Sequence, residues 1–283
     1  MTAWKFAVVQ MDVTLGQKAA NLDRIVSWTE QAARNGARLV AFPECALTGY
    51  CFDSWDEANA FAEPSPGPST QRLVEVCQRW DCYVAFGLLE HSDGRLFNAC
   101  ALVGPNGVVG AYRKIHLPFL GVDRFATPGD RPFQVHSTGP ARIGLHICYD
   151  GSFPESARVM ALMGADVLLL PTNWPPGAEL TAAYVVNTRA LENHVYYAAV
   201  NRVGAERGFR FIGRSRICDP HGRTLQEADE HSEMVLYAEA DLELARTKRI
   251  VRVPDKHIID RFADRRPEMY GKIVEPIPSK RFR

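Results

Sequence analysis

The chain has 283 residues, 46% hydrophobic and 23% charged, an ordinary balance for a globular protein with a sizeable core. Lys+Arg and Asp+Glu both total 33, so the formal net charge is zero and nothing global favours nucleic acid or an anionic membrane as partner. No apolar run approaches the ~20 residues of a membrane-spanning helix, and the start, Met-Thr-Ala-Trp-Lys-Phe, does not read as a secretion signal.

Taken in order, Lys5–Gln10 is a short apolar strand. Leu22, Ile25, Val26, Thr29, Ala32 and Ala33 recur at helical spacing within 17–35, and Gly36 stops that helix. Arg38–Phe42 is a second strand, ending in Pro43-Glu44; an aromatic loop through Tyr50, Phe52 and Trp55 follows. Ser69 can cap a helix with Leu73, Val76, Cys77 and Trp80 on one face, and Cys82–Glu90 is another strand. Two hairpins follow from turn chemistry: Ala99–Val103 with Val108–Tyr112 across Gly-Pro-Asn-Gly, and Arg214–Cys218 with Thr224–Leu225 across Asp-Pro-His-Gly. The first runs into Arg113-Lys114. After a looser segment, Phe119–Arg131, come a strand near Phe133–His136 and a strand ending at Cys148. A helix opens near Pro154. Val167–Leu170, Val195–Val200 and Met234–Ala240 are strands, and Glu179–Asn193 is a helix.

This order predicts an α/β protein with two mixed sheets, each covered by helices on one side. Residues 1–253 read as the main domain and 254–283 as a tail. Ile258, Ile259, Phe262, Met269, Tyr270, Ile273 and Ile277 make that tail too apolar for disorder, so it is expected to pack, across a subunit interface. Seven cysteines without a CxxC pair are expected to be reduced thiols in a cytoplasmic setting.

Glu44, Lys114 and Cys148 each end an apolar strand, where α/β sheets build sites. A thiol nucleophile needs a base and a donor for the oxyanion, and Glu44 and Lys114 can supply these. The nearby helix N-terminus is expected to favour the thiolate of Cys148. Singly, Cys148 could be a buried core thiol, Glu44 a solvated strand-end carboxylate, and Lys114 with Arg113 a solvated charge pair. No zinc-hydrolase spacing and no Walker-type loop appears.

The segments Phe-Pro-Glu44, Tyr-Arg-Lys114-Ile-His and Ile-Cys148-Tyr-Asp resemble, in order and spacing, the Glu, Lys and Cys motifs of the nitrilase superfamily of carbon–nitrogen hydrolases. The resemblance runs from Lys5 to about Ala240 and implies a four-layer α-β-β-α sandwich, a dimer or larger homo-oligomer, and no metal or cofactor. It further implies hydrolysis of a small amide through a thioester on Cys148, with the Tyr149 backbone N–H sharing the oxyanion with Lys114. N-carbamoyl compounds or nitriles are alternative substrates, and a catalytically silent scaffold is an alternative of another class. Cys148-Tyr-Asp150 is more like the amidase and carbamoylase branches than the Cys-Trp-Glu of nitrilases. Many members carry a second glutamate in the loop that here reads Phe119–Thr127; Asp123 is its only carboxylate, a possible second acid or a turn residue paired with Arg124. Tyr50, Asn173 and Trp174 are candidates for substrate contact. Arg124 and Arg202 are weaker candidates for binding a substrate acid.

Overall fold

A computed structural model describes residues 4–276, which leaves Ile277 outside. In chain order the elements are β1 (Trp4–Gln10), α1 (Lys18–Arg34), β2 (Leu39–Ala41), α2 (Trp55–Asn59), α3 (Pro68–Trp80), β3 (Tyr83–Ser92), β4 (Arg95–Gly104) and β5 (Gly107–Arg113). There follow β6 (Val135–Thr138), β7 (Ala141–Leu145), α4 (Pro154–Leu162), β8 (Val167–Pro171), α5 (Val186–Asn193), β9 (Tyr196–Val200), β10 (Ala205–Glu206), β11 (Phe209–Arg210), β12 (Arg216–Cys218), β13 (Thr224–Glu227) and β14 (Met234–Ala240). Last come α6 (Leu242–Arg246), β15 (Arg249–Val253) and β16 (His257–Asp260).

The strands form two six-stranded mixed sheets, ordered β14-β1-β2-β3-β4-β5 and β13-β12-β9-β8-β7-β6. In the first, β1, β2 and β3 are parallel and the flanking pairs antiparallel; in the second, β7, β8 and β9 are parallel. Period-two alternation along β1 separates two cores. Phe6 and Val8 lie in one cluster with Ile143, Leu145, Val167 and Leu169 of the second sheet. Ala7 and Val9 lie in another with Leu22 and Ile25 of α1 and Leu73 and Cys77 of α3. On the far side, α4 lays Met160 against Gly144 of β7, and α5 contacts β9. The result is the expected four layers, helix, sheet, sheet, helix.

Several boundaries differ from expectation. Helix α3 is capped two residues before the expected Ser69, at Gly67, and begins at Pro68. There the Thr70 hydroxyl closes the cap on the Gly67 N–H at 2.8 Å, while the Ser69 hydroxyl turns to Glu63 at 3.0 Å. Strand β4 begins at Arg95 because Asp93-Gly94 makes a hairpin with β3, so Asn98 lies inside it. The expected helix over 179–193 opens with a π-helical turn, Thr181–Val185, before α5. The chain divides into two compact units with the break after Arg246. The second holds the β15–β16 hairpin, not foreseen in the sequence, with Val251, Val253, Ile258, Met269, Tyr270 and Ile273 exposed. Among the described residues no helix is long and apolar enough to cross a membrane.

Candidate active site

Glu44 follows β2 on a tight turn in which Cys45 takes φ +50°. That turn lies on β3 so closely that a Cβ at Gly87 would sit 2.2 Å from the Cys45 nitrogen and 2.6 Å from the Pro43 oxygen. A glycine there lets the Glu44 turn seat on the sheet. Lys114 leaves β5, its N–H donating to the Asn98 carbonyl at 2.8 Å and its own carbonyl accepting from Gly129 at 2.8 Å. Gly129, in the Thr127-Pro-Gly-Asp130 turn, is equally obligatory, because a Cβ would lie 2.2 Å from the Arg113 oxygen. Arg113 is not the solvated neighbour it could have been. It is 4% exposed, held by Glu90 at 2.6 Å and Asp130 at 3.0 Å, with Phe97 stacked under its guanidinium at 3.9 Å.

Glu44 and Lys114 are both 0% exposed, so neither is a solvated surface charge. The Lys114 ammonium donates to Glu44 Oε1 at 2.6 Å and also to Asp123 Oδ2. Asp123, on the short 3-10 turn Gly121–Arg124, is therefore no turn residue paired with Arg124. It also receives the Tyr50 hydroxyl at 2.8 Å and the Asn98 amide at 2.8 Å. One ammonium faces two carboxylates, so the buried cluster carries net negative charge when all three are ionised. Burial holds Glu44 above its usual carboxylate range; Lys114 offsets part of this and Asp123 adds to it. Burial works against the charge on Lys114, but Asp123 and Glu44 outweigh it and keep the group well above the usual lysine range. Lys114 stays an ammonium at any working pH.

Cys148 opens a 3-10 turn, Cys148–Ser152, after β7 and takes φ +47°. A non-glycine residue in that region costs about 1–2 kcal/mol, so the turn must be fastened. Asp150 does this: it accepts the Ile147 N–H at 2.9 Å, the Tyr112 hydroxyl at 2.8 Å, the His116 N–H at 3.1 Å and His116 Nδ1 at 2.7 Å. Tyr112 and His116 flank Lys114, so Asp150 ties the Cys148 turn to the Lys114 strand. The His116 ring stacks on Phe153 at 3.7 Å.

The expected dipole stabilisation of a Cys148 thiolate is opposed by burial. Helix α4 begins only at Pro154, and burial, with the Glu44 charge, pushes the Cys148 thiol up to about 12, although Lys114, the Thr172 hydroxyl and the Asn173 backbone N–H pull it back. That direction favours the thiol over the thiolate as the resting group. Attack on an electrophile then requires that its proton leave in the same step, and Glu44, with raised proton affinity, is the base at hand. Moving the proton from sulfur to Glu44 leaves the summed charge of Cys148, Glu44, Lys114 and Asp123 unchanged and shifts one negative charge from Glu44 to sulfur.

Of the remaining candidates, Tyr50 and Asn173 touch the cluster residues and the others make their contacts elsewhere. Tyr50 is buried and its hydroxyl is committed to Asp123. Asn173 donates to the Glu44 carbonyl at 3.0 Å and keeps a buried, unpartnered Oδ1. Trp174 is buried, with its backbone N–H donating to Asn201 Oδ1 at 2.9 Å. Tyr149 is half-exposed and set edge-on to Phe153 at 5.1 Å. Arg202 is fully buried; it pairs with Glu206 and Asp12, and Glu206 in turn holds the Tyr50 and Cys51 N–H groups. Arg124 donates to the Gly121 and Phe52 carbonyls. A cavity of about 280 Å³ beside the Asp123 loop is lined by Cys51, Phe119, Leu120, Gly121, Arg124 and Glu206 among others. Glu44, Lys114, Asp123 and Cys148 do not line it, so geometry and charge, not this hollow, mark the site.

Compared with known proteins, residues 5–250 match the family described as carbon–nitrogen hydrolase. A nitrilase of Pyrococcus abyssi is 40% identical over 270 residues, 94% of this chain and 98% of the relative. An omega-amidase of Homo sapiens is 33% identical over 258 residues, 86% of this chain and 90% of the relative. An amidase from Nesterenkonia sp. shares the fold with a TM-score of 0.78 at 24% identity, over 96% of this chain and 97% of that one.

Proposed function

The chain belongs to the carbon–nitrogen hydrolase family, and from that premise we propose that it hydrolyses a small non-peptide amide by nucleophilic catalysis at Cys148. The observation that carries this reading is the buried Glu44–Lys114–Asp123 cluster, one ammonium held between two carboxylates. Cys148 Sγ attacks the carbonyl carbon as its proton passes to Glu44. Lys114 and the Tyr149 N–H hold the oxyanion. Glu44 returns the proton to the departing nitrogen, ammonia leaves, and a thioester remains. Glu44 then takes a proton from water, which attacks the thioester, and the acid departs as the thiol reforms. Asp123 serves as the second acid, anchoring Lys114 between two carboxylates.

An amide is preferred over a nitrile because of Cys148-Tyr-Asp150, and the likeness to omega-amidases supports a substrate that carries the amide at the end of a short chain. The test is an ammonia-release screen over simple amides, ω-amido acids, N-carbamoyl compounds and nitriles. Turnover of amides, with nitriles inert, is expected; turnover confined to nitriles or N-carbamoyl compounds would overturn the substrate assignment. We also place the enzyme in the cytoplasm as a homo-oligomer. Exposed Val159, Leu162 and Met163 at α4 and Leu191 on α5, together with the apolar residues of the β15–β16 unit, support association.

A consequence concerns pH. Glu44 must be ionised to accept the thiol proton, so the acid limb of kcat/KM should lie above the ordinary glutamate value of 4.5. Asp123 raises Glu44, so Asp123→Asn should move that limb to lower pH. It should also reduce kcat/KM by on the order of 10²-fold, through misplacement of Lys114. An acid limb that stays put in Asp123→Asn would remove Asp123 from the site.

A further inference from the structure

The Asn98 side chain spends all its hydrogen-bonding groups on this site. It sits in β4 and is 1% exposed. Its amide nitrogen donates to Glu44 Oε1 at 2.7 Å and to Asp123 Oδ1 at 2.8 Å, which uses both hydrogens. Its Oδ1 accepts from the Cys45 thiol at 3.5 Å, and its backbone carbonyl accepts the Lys114 N–H at 2.8 Å. One residue thus touches the turn that carries Glu44, the strand exit that carries Lys114, and Asp123.

The choice of an amide has a reason. Two carboxylates share one ammonium, and the space between them needs donors. A lysine would neutralise the cluster and weaken Glu44 as a base. An acid would add repulsion. An amide gives each carboxylate a donor and adds no charge. A second consequence follows from where the donors go. Glu44 Oε1 receives both Lys114 and Asn98, whereas Oε2 is buried and has no hydrogen-bond partner. Of the two oxygens, Oε2 is the one with a lone pair open to a proton.

We propose that Asn98 is a positioning residue that ties Glu44 through Oε1 and so reserves Oε2 to take the proton of Cys148, while holding Asp123 in line with it. The inference rests on the assignment of Cys148, Glu44 and Lys114 above. The Asn98 hydrogen bond favours ionised Glu44, so its loss raises the proton affinity of that carboxylate.

The test uses the intact chain and iodoacetamide, a small amide that alkylates thiols, with the rate at Cys148 read by peptide mass spectrometry across pH. Asn98→Leu removes both donors at similar volume, and Asn98→Asp keeps the shape but replaces donors with acceptors. Both should react on the order of ten- to a hundredfold more slowly at neutral pH. Both should show the acid limb displaced to higher pH, Asn98→Asp further because it adds a carboxylate. Circular dichroism checks folding. Should Asn98→Leu not fold, Asn98→Ser, which keeps one donor, should give a smaller displacement in the same direction. A uniform loss of rate in folded variants, with the acid limb where the wild type has it, would overturn the proposal. Glu44→Gln run alongside separates the two levels. If Glu44→Gln leaves the wild-type profile intact, the assignment of Glu44 itself falls. If Glu44→Gln loses the limb and the Asn98 variants do not move it, only the role of Asn98 falls.

Discussion

Cys148→Ala should release no measurable ammonia from any amide the wild type turns over, a loss of at least about 10⁴-fold. The neighbouring Cys45 thiol cannot stand in. Cys45 is the thiol next to Glu44 in sequence, but it is fully buried, bonded to Asn98, and pushed well above the usual thiol range by burial and by the Glu44 and Asp123 charges. The variant should still fold, since alanine at φ +47° meets the same backbone strain as cysteine and the Asp150 bonds that fasten the turn are untouched. Substrate affinity should persist, because the groups assigned to the oxyanion and the amide remain. Ammonia release by Cys148→Ala within tenfold of wild type, a bound set by ordinary positional effects, would end the covalent mechanism.

Lys114→Met should be nearly as damaging to turnover, by about 10³-fold or more, because it removes the charge that faces the oxyanion. Unlike Cys148→Ala, it should also weaken the fold. Breaking a buried ion pair by deleting one partner costs roughly 3–5 kcal/mol, and here the deletion strands two carboxylates, Glu44 and Asp123, side by side at 0% side-chain exposure. The pH dependence has a definite sign. Glu44 is already raised in the folded state with Lys114 present, and losing the ammonium raises it further. A carboxylate raised on folding costs least when protonated in both states. The stability gap between variant and wild type should therefore be smallest in acid and widen as pH rises through the displaced carboxylate range. Thermal melts from mildly acid to neutral pH would show this; a gap independent of pH would mean that the two carboxylates are not left uncompensated.

Much of this was legible in the sequence because strand ends and turns announce themselves. Glu44, Lys114 and Cys148 each close an apolar run, and the structure brings Glu44 and Lys114 into contact and sets Cys148 within their field. The layered sheets followed from helices alternating with strands and hairpins. Asp123 could not be placed, because its loop has no periodicity; the contacts that define it come from Tyr50 and Asn98, distant in sequence. Asn98 escaped because β4 was read as starting at Ala99, four residues after its actual start at Arg95. The signals were there, in Asp93-Gly94 and in a lone polar side chain flanked by Phe97 and Ala99. The thiolate expectation meets opposition for a different reason. It weighed the helix N-terminus, which sequence shows, and not burial, which it does not.

The most direct measurement is the mass of the enzyme during turnover of an amide, quenched in acid, with the adduct mapped by peptide. The account predicts one acyl group per chain, on the peptide that carries Cys148, absent in Cys148→Ala and decaying in wild type at the rate at which acid is released. Turnover with no acyl group on Cys148 at any quench time, or with the group on one of the other six cysteines, would contradict it.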